Sequence, residues 1–95
     1  MTQDTDKSIP KINYDSAPNN IGRALQRYVE KGVNPGSFLE AVLKNDLIQS
    51  CASADMTNLA LIYDIVKWIY NNLPTVYYGS KSRYDNHVAK FKSHD

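Results

Sequence analysis

The 95-residue chain has one cysteine, four prolines, four glycines and a formal charge of only +1, and each scarcity removes a class of protein. A lone thiol, Cys51, makes no disulfide within the chain, so the fold stands without covalent staples and suits a reducing cytosol. Near-neutral charge gives no general electrostatic grip on a polyanion, which argues against a nucleic-acid partner. The local excess of Lys81, Arg83, Lys90 and Lys92 over Asp85 reads as a solvated helix face. No apolar run approaches the roughly 20 residues that cross a bilayer, and Met1–Ser8 lacks the apolar core of a signal peptide. The expectation is a soluble, intracellular chain with no membrane partner.

Chemistry-bearing clusters are scarce too. No metal-ligand spacing, nucleotide-binding loop or nucleophile–base pair stands out, so no catalytic residue, metal or cofactor is assigned. Cys51 sits in the small-residue run Ser50-Cys51-Ala52-Ser53-Ala54 and is expected to be a small buried side chain. A reactive thiol needs an activating neighbour, and His87 and His94 lie far along the chain, on a polar helix and tail that read as solvated.

What is present is helical periodicity. Residues 1–17 are polar and aperiodic and read as a flexible arm, which Ile9, Ile12 and Tyr14 can dock on the body or on a second subunit. A first helix is expected from about Pro18 or Asn20, with Ile21, Ala24, Leu25, Tyr28 and Val29 on one stripe and Gly32 as its left-handed stop. A second begins at Ser37, in a Ser37-Phe38-Leu39-Glu40 capping box, and buries Phe38, Leu39, Val42, Leu43 and Leu47. Asn45-Asp46 either end that helix, with Asp46 capping a short one through Ser53, or sit within a kink.

The third helix, from Asp55 or Thr57 to Asn72, carries Leu59, Leu61, Ile62, Ile65, Val66, Trp68, Ile69 and Tyr70 over more than half its circumference, the mark of a helix enclosed by neighbours. Asp64 and Lys67 point outward. Leu73-Pro74 ends it, an extended link follows over Thr75–Gly79, and Ser80 caps a fourth helix with Tyr84, Val88 and Phe91 inward. The predicted fold is all-α: a compact bundle of four, possibly five, short helices around a buried third helix, forming a single domain over residues 18–95. So small a core makes a homo-oligomer that shares apolar surface a reasonable expectation.

Three polar or aromatic groups are candidate ligand contacts. Gly36-Ser37 and Gly79-Ser80 each open a helix, where free amides and the positive dipole end attract a phosphate, with Lys81 adding charge. Asn45, Asp46, Asp55 and Asn58 flank the junction between the second and third helices, either as caps or as hydrogen-bonding partners of a base or ribose. Tyr77 and Tyr78, with Tyr70, gather beside Gly79-Ser80, where their rings can stack on a nucleobase or plug the end of the bundle.

The residues Pro35-Gly36-Ser37-Phe38-Leu39, Ala41-Val42-Leu43, Asn45-Asp46-Leu47, Ala54-Asp55, Asn58, Ile65-Val66, Trp68, Tyr70-Asn71, Pro74 and Gly79-Ser80, preceded by Tyr28-Val29-Glu30 and Gly32, make up a pattern. It resembles that of a family of short proteins encoded by many tailed bacteriophages. The N-terminal arm and basic C-terminal end depart from it. The resemblance implies a phage accessory protein acting in the cytoplasm of the infected bacterium, and it brings no enzymatic activity with it. By analogy, small phage proteins often blunt host defence, some by sequestering cyclic or otherwise modified nucleotide signals. The expected function is therefore non-catalytic capture of a small anionic, nucleotide-like ligand. The alternative is a protein–protein interaction module that inhibits a host bacterial protein through a tyrosine-rich face.

Overall fold

A computed structural model describes residues 11–92, and among these the fold is all-α with no strand. Six helices follow one another: α1 (Gly22–Lys31), α2 (Ser37–Leu43), α3 (Leu47–Ser53), α4 (Met56–Ala60), α5 (Ile62–Asn72) and α6 (Lys81–Lys92). Single 3₁₀ turns stand at Tyr14–Ser16, Pro18–Asn20 and Thr75–Tyr77. No helix of the described residues is long and apolar enough to cross a membrane.

α1 forms where the periodicity places it. Leu25, Tyr28 and Val29 are buried, and Gly32 ends the helix at φ 69°, a conformation that costs glycine nothing because it has no Cβ. Gly22, the first residue of α1, is required for a different reason: the backbone carbonyl of Tyr14 occupies the space a Cβ would need. That close approach folds residues 12–17 onto the body, with Tyr14 buried and Ile12 partly buried against the core. Trp68 Nε1–H donates to Ser16 Oγ at 2.8 Å. The flexible-arm reading is thereby corrected for this stretch, since burying Tyr14 offsets the cost of ordering it; Ile9 lies outside the described residues.

The core joins Ile21, Leu25, Tyr28 and Val29 to Phe38, Leu39 and Leu43 of α2, Ile65, Trp68 and Ile69 of α5, and Tyr77 and Tyr84. Tyr28 is its hub. The Tyr28 hydroxyl donates to the Tyr77 carbonyl at 2.7 Å, and the ring stacks on Tyr84 with centroids 5.1 Å apart. His87 meets Tyr28, Tyr77 and Phe91 edge-on, and its Nε2–H donates to the Tyr28 carbonyl at 2.6 Å. His87 is thus buried, not solvated: a neutral imidazole satisfies the C-terminal carbonyls of α1 while its ring packs as an aromatic. Phe91, expected inward, remains 37% exposed. His94 lies outside the described residues.

Three other local expectations change. Ser37 is not the cap of α2. Gly36 holds that position, and Asn34 makes the polar contacts instead: its Oδ1 accepts from the Gly36 amide at 2.7 Å and its Nδ2 donates to Glu40 Oε1 at 2.7 Å. Glu40 also pairs with Lys44, and those two partners hold its carboxyl below the usual range, so no capping box forms. Thr75–Tyr77 is a 3₁₀ turn rather than extended, closed by Tyr77 N–H on the Pro74 carbonyl at 3.1 Å. Cys51 is exposed rather than buried, because Ser50 is the α3 residue that turns inward and donates to the Asp46 carbonyl.

The predicted third helix is divided at Leu61, where the amide is shared between the Thr57 and Asn58 carbonyls and the ladder tightens for one step before α5 resumes. Ile65, Trp68 and Ile69 are buried, Leu61 and Ile62 partly so, while Leu59, Val66 and Tyr70 are exposed. One side of α5 is enclosed and the other faces outward.

Candidate functional site

An apolar groove of about 370 Å³ lies among α2, α3, α5 and the link into α6. Val42, Leu47, Ile62, Val66 and Ile69 supply its apolar lining, and Asn45, Asp46, Ser50, Tyr70, Tyr78 and Gly79 complete it.

Local chain geometry sets these positions. Asn45 takes φ 63°, a left-handed residue that reverses the chain between α2 and α3, which asparagine tolerates through its short polar side chain. Its side chain is exposed and makes no hydrogen bond to another described residue. Asp46 caps α3, its Oδ1 accepting from the Gln49 amide at 3.0 Å. The Gly79 amide donates to the Leu43 carbonyl at 2.8 Å, filling a terminal acceptor of α2 and tying that helix end to the start of α6.

Of the sequence candidates, Asn45, Asp46, Tyr70, Tyr78 and Gly79 meet in this groove and the rest do not. Asp55 caps α4 through the Asn58 amide at 2.7 Å, and the Asn58 side chain accepts from Asn19 Nδ2 at 2.6 Å, so both serve the α4 junction. Tyr77 is buried in the core, where burial raises its hydroxyl above the usual tyrosine range. Ser80 Oγ accepts from the Arg83 amide and caps α6. Lys81 is bound to Asp85 one turn on; the pairing raises the lysine and lowers the carboxyl.

Gly36 and Ser37 stand apart. The Gly36 amide is taken by Asn34, and Ser37 edges a separate shallow hollow of about 230 Å³ with Glu40, Lys44, Asp46, Gln49 and Ser53. At both Gly-Ser helix starts the glycine N–H is already used, Gly36 by the Asn34 side chain and Gly79 by the Leu43 carbonyl, so neither glycine amide is free for a phosphate.

Tyr70 lines the groove while 72% exposed. One contributor was not among the sequence candidates. Arg83 lies across Gly79, where its Nη1 is 3.0 Å from the place a Cβ would occupy and approaches the Tyr78 carbonyl at 3.3 Å. It is exposed and puts positive charge beside Tyr78 and Gly79. An i+3 spacing from the Ser80 cap marks it as a first-turn residue of α6, but nothing in the spacing alone directs the side chain backward.

The arrangement suits recognition: an apolar lining, two phenol rings, an amide and a carboxylate, and a guanidinium beside Tyr78 and Gly79. Among the described residues no group of three or more His, Cys, Asp or Glu side chains is placed to hold a metal ion. Comparisons with protein-family models, with curated proteins and with solved structures return no match to this chain.

Proposed function

We propose that the chain is a counter-defence accessory protein of a tailed bacteriophage that captures a small nucleotide-like ligand in this groove, in the cytoplasm of the infected cell, without turning it over. The observation that carries the reading is the convergence of Tyr70, Tyr78, Asn45 and Asp46 on one apolar-floored groove. Tyr70 and Tyr78 offer ring faces to a planar base, and each stacking contact contributes roughly 1–3 kcal/mol. Asn45 and Asp46 offer the donor and acceptor pattern that reads a base edge, and Arg83 supplies the charge for a phosphate in place of the Gly-Ser starts. Capture is favoured over turnover because Asp46 and Asp55 each hold an amide of their own helix, and the His87 ring is locked on the Tyr28 carbonyl inside the core.

A thermal-shift panel of cyclic dinucleotides, cyclic trinucleotides and ADP-ribose derivatives tests the proposal. A ligand at 100 times its dissociation constant stabilises the fold by about 2.7 kcal/mol. The Tyr70→Ala and Asn45→Gly proteins should lose that gain while keeping their unliganded stability, since Tyr70 is exposed and glycine accepts the left-handed backbone at position 45. No response from any member of the panel overturns the reading.

A further inference from the structure

The groove holds little charge. Asp46 is the charged residue of its lining, and its carboxylate already gives Oδ1 to the Gln49 amide. The two lysines that flank the groove residues in sequence are held elsewhere. Lys44 precedes Asn45 and pairs with Glu40 at 2.5 Å, and Lys81 follows Ser80 and pairs with Asp85 at 2.5 Å. Arg83 is the cation beside Tyr78 and Gly79. Its guanidinium lies against the Gly79 main chain, where a Cβ would stand 3.0 Å from Nη1. Nη1 reaches the Thr75 and Tyr78 carbonyls at 3.4 and 3.3 Å, contacts long enough to be weak hydrogen bonds. Neither of them uses Nη2 or Nε.

We infer that the ligand presents one phosphodiester to Arg83, as a cyclic or bridged nucleotide does, and no terminal phosphate. This rests on the nucleotide reading of the groove and narrows it to a chemical class. A diester spreads a single negative charge over two non-bridging oxygens, and a guanidinium edge matches that pair with two parallel N–H donors. A terminal phosphate carries a charge of about −1.5 to −2 at pH 7. One guanidinium leaves part of that charge uncompensated beside an apolar lining. Desolvating such an anion is unfavourable without further partners, and the Asp46 carboxylate in the same groove adds repulsion. A triphosphate meets the same obstacle in larger measure. A groove made for terminal phosphates would direct Lys44 or Lys81 into it, whereas each is bound to a carboxylate one helical turn away.

Isothermal titration calorimetry on the full chain, without divalent cations, tests it. For each of the four RNA bases the probes are the nucleoside, the 3′,5′-cyclic monophosphate, the 5′-monophosphate and the 5′-triphosphate. Cyclic di-AMP and cyclic di-GMP are each paired with the linear, 5′-phosphorylated dinucleotide that opening the ring produces. Wherever a base binds, the diester is expected to bind more tightly than the form with a terminal phosphate by about tenfold or more. Arg83→Gln brings the diester down to the affinity of the uncharged nucleoside. Asp46→Asn keeps the α3 cap, since asparagine caps as well as aspartate, and narrows the gap between diester and terminal phosphate.

Three results overturn the inference and leave the nucleotide reading standing: a terminal phosphate that binds as tightly as the diester, a diester indifferent to Arg83→Gln, or a gap that Asp46→Asn leaves unchanged. Silence from every probe, the uncharged nucleosides included, overturns both.

Discussion

Ile65 and Val66 are neighbours on one helix, yet the first is fully buried and the second is about half exposed. The contrast extends beyond them and divides the molecule. On the enclosed side, α1, α2, α6 and the inner stripe of α5 share one core around Tyr28. On the outer side, α3 buries only Ser50 and α4 buries nothing; these short helices depend on the Asp46 and Asp55 caps and on their neighbours in sequence. Apolar content is similar on both sides, so hydrophobicity does not separate them. What separates them is whether a second element arrives to cover the surface, which makes the enclosed side the source of stability and leaves apolar side chains of the outer side in solvent.

The largest effect should come from cutting into α5 at adjacent positions. Ile65→Ala is expected to cost about 2–5 kcal/mol through lost burial and a cavity, whereas Val66→Ala should stay within about 0.5 kcal/mol; urea unfolding of both proteins measures the difference. Equal costs would erase the distinction between the faces. Next is Gly22→Ala, on the enclosed side, where the added methyl meets the Tyr14 carbonyl. Overpacking of that kind costs about 1–3 kcal/mol, and the substitution should also release the turn at Tyr14–Ser16, visible as lost amide protection there.

Smaller effects belong to the outer side. Asp46→Ala and Asp55→Ala should each cost about 1 kcal/mol as lost caps, with faster amide exchange confined to α3 and α4 respectively. Ser37→Ala, which removes no cap, should fall within about 0.5 kcal/mol. The mildest perturbation is acid, and it acts on the enclosed side alone. Burial holds the His87 imidazole below the usual histidine value, so the unfolded chain takes up that proton first. His87 therefore contributes its stability fully above the unfolded value of about 6.5, and the contribution falls away as pH drops through the lower folded value. Glu40 and Asp85, held low by their lysine partners, lose theirs only in the more acidic carboxylate range. Thermal melts should show a midpoint that declines on mild acidification in the wild type and is flat over that interval in His87→Gln.

Helix formation was legible wherever a period and a stop signal agreed. The Leu25, Tyr28, Val29 stripe with Gly32 placed α1, and Asp46 and Ser80 announced the starts of α3 and α6 before any contact was known. The Ser37 capping box failed because Asn34, outside the motif window, reaches Glu40 and the Gly36 amide first. His87 and Cys51 were misassigned because neighbour polarity stands in poorly for direction: His87 falls one turn from Tyr84 on the inner stripe, and Ser50 takes the inward position beside Cys51. Part of the groove was legible in Asn45, Asp46, Tyr70, Tyr78 and Gly79. Arg83 and the consumed Gly amides were not, since both depend on α6 folding back against the end of α2. The apolar breadth of α5 was read as a helix enclosed by neighbours, whereas the described residues cover only one of its sides and leave Tyr63, Val66 and Tyr70 exposed.

Hydroxyl-radical footprinting compares the two faces of α5 in one experiment. Trp68 should be protected, while Tyr63 and Tyr70 should be labelled readily. Tyr63 and Tyr70 protected as strongly as Trp68, or Trp68 labelled as readily as they are, would contradict the division between an enclosed face and an exposed one.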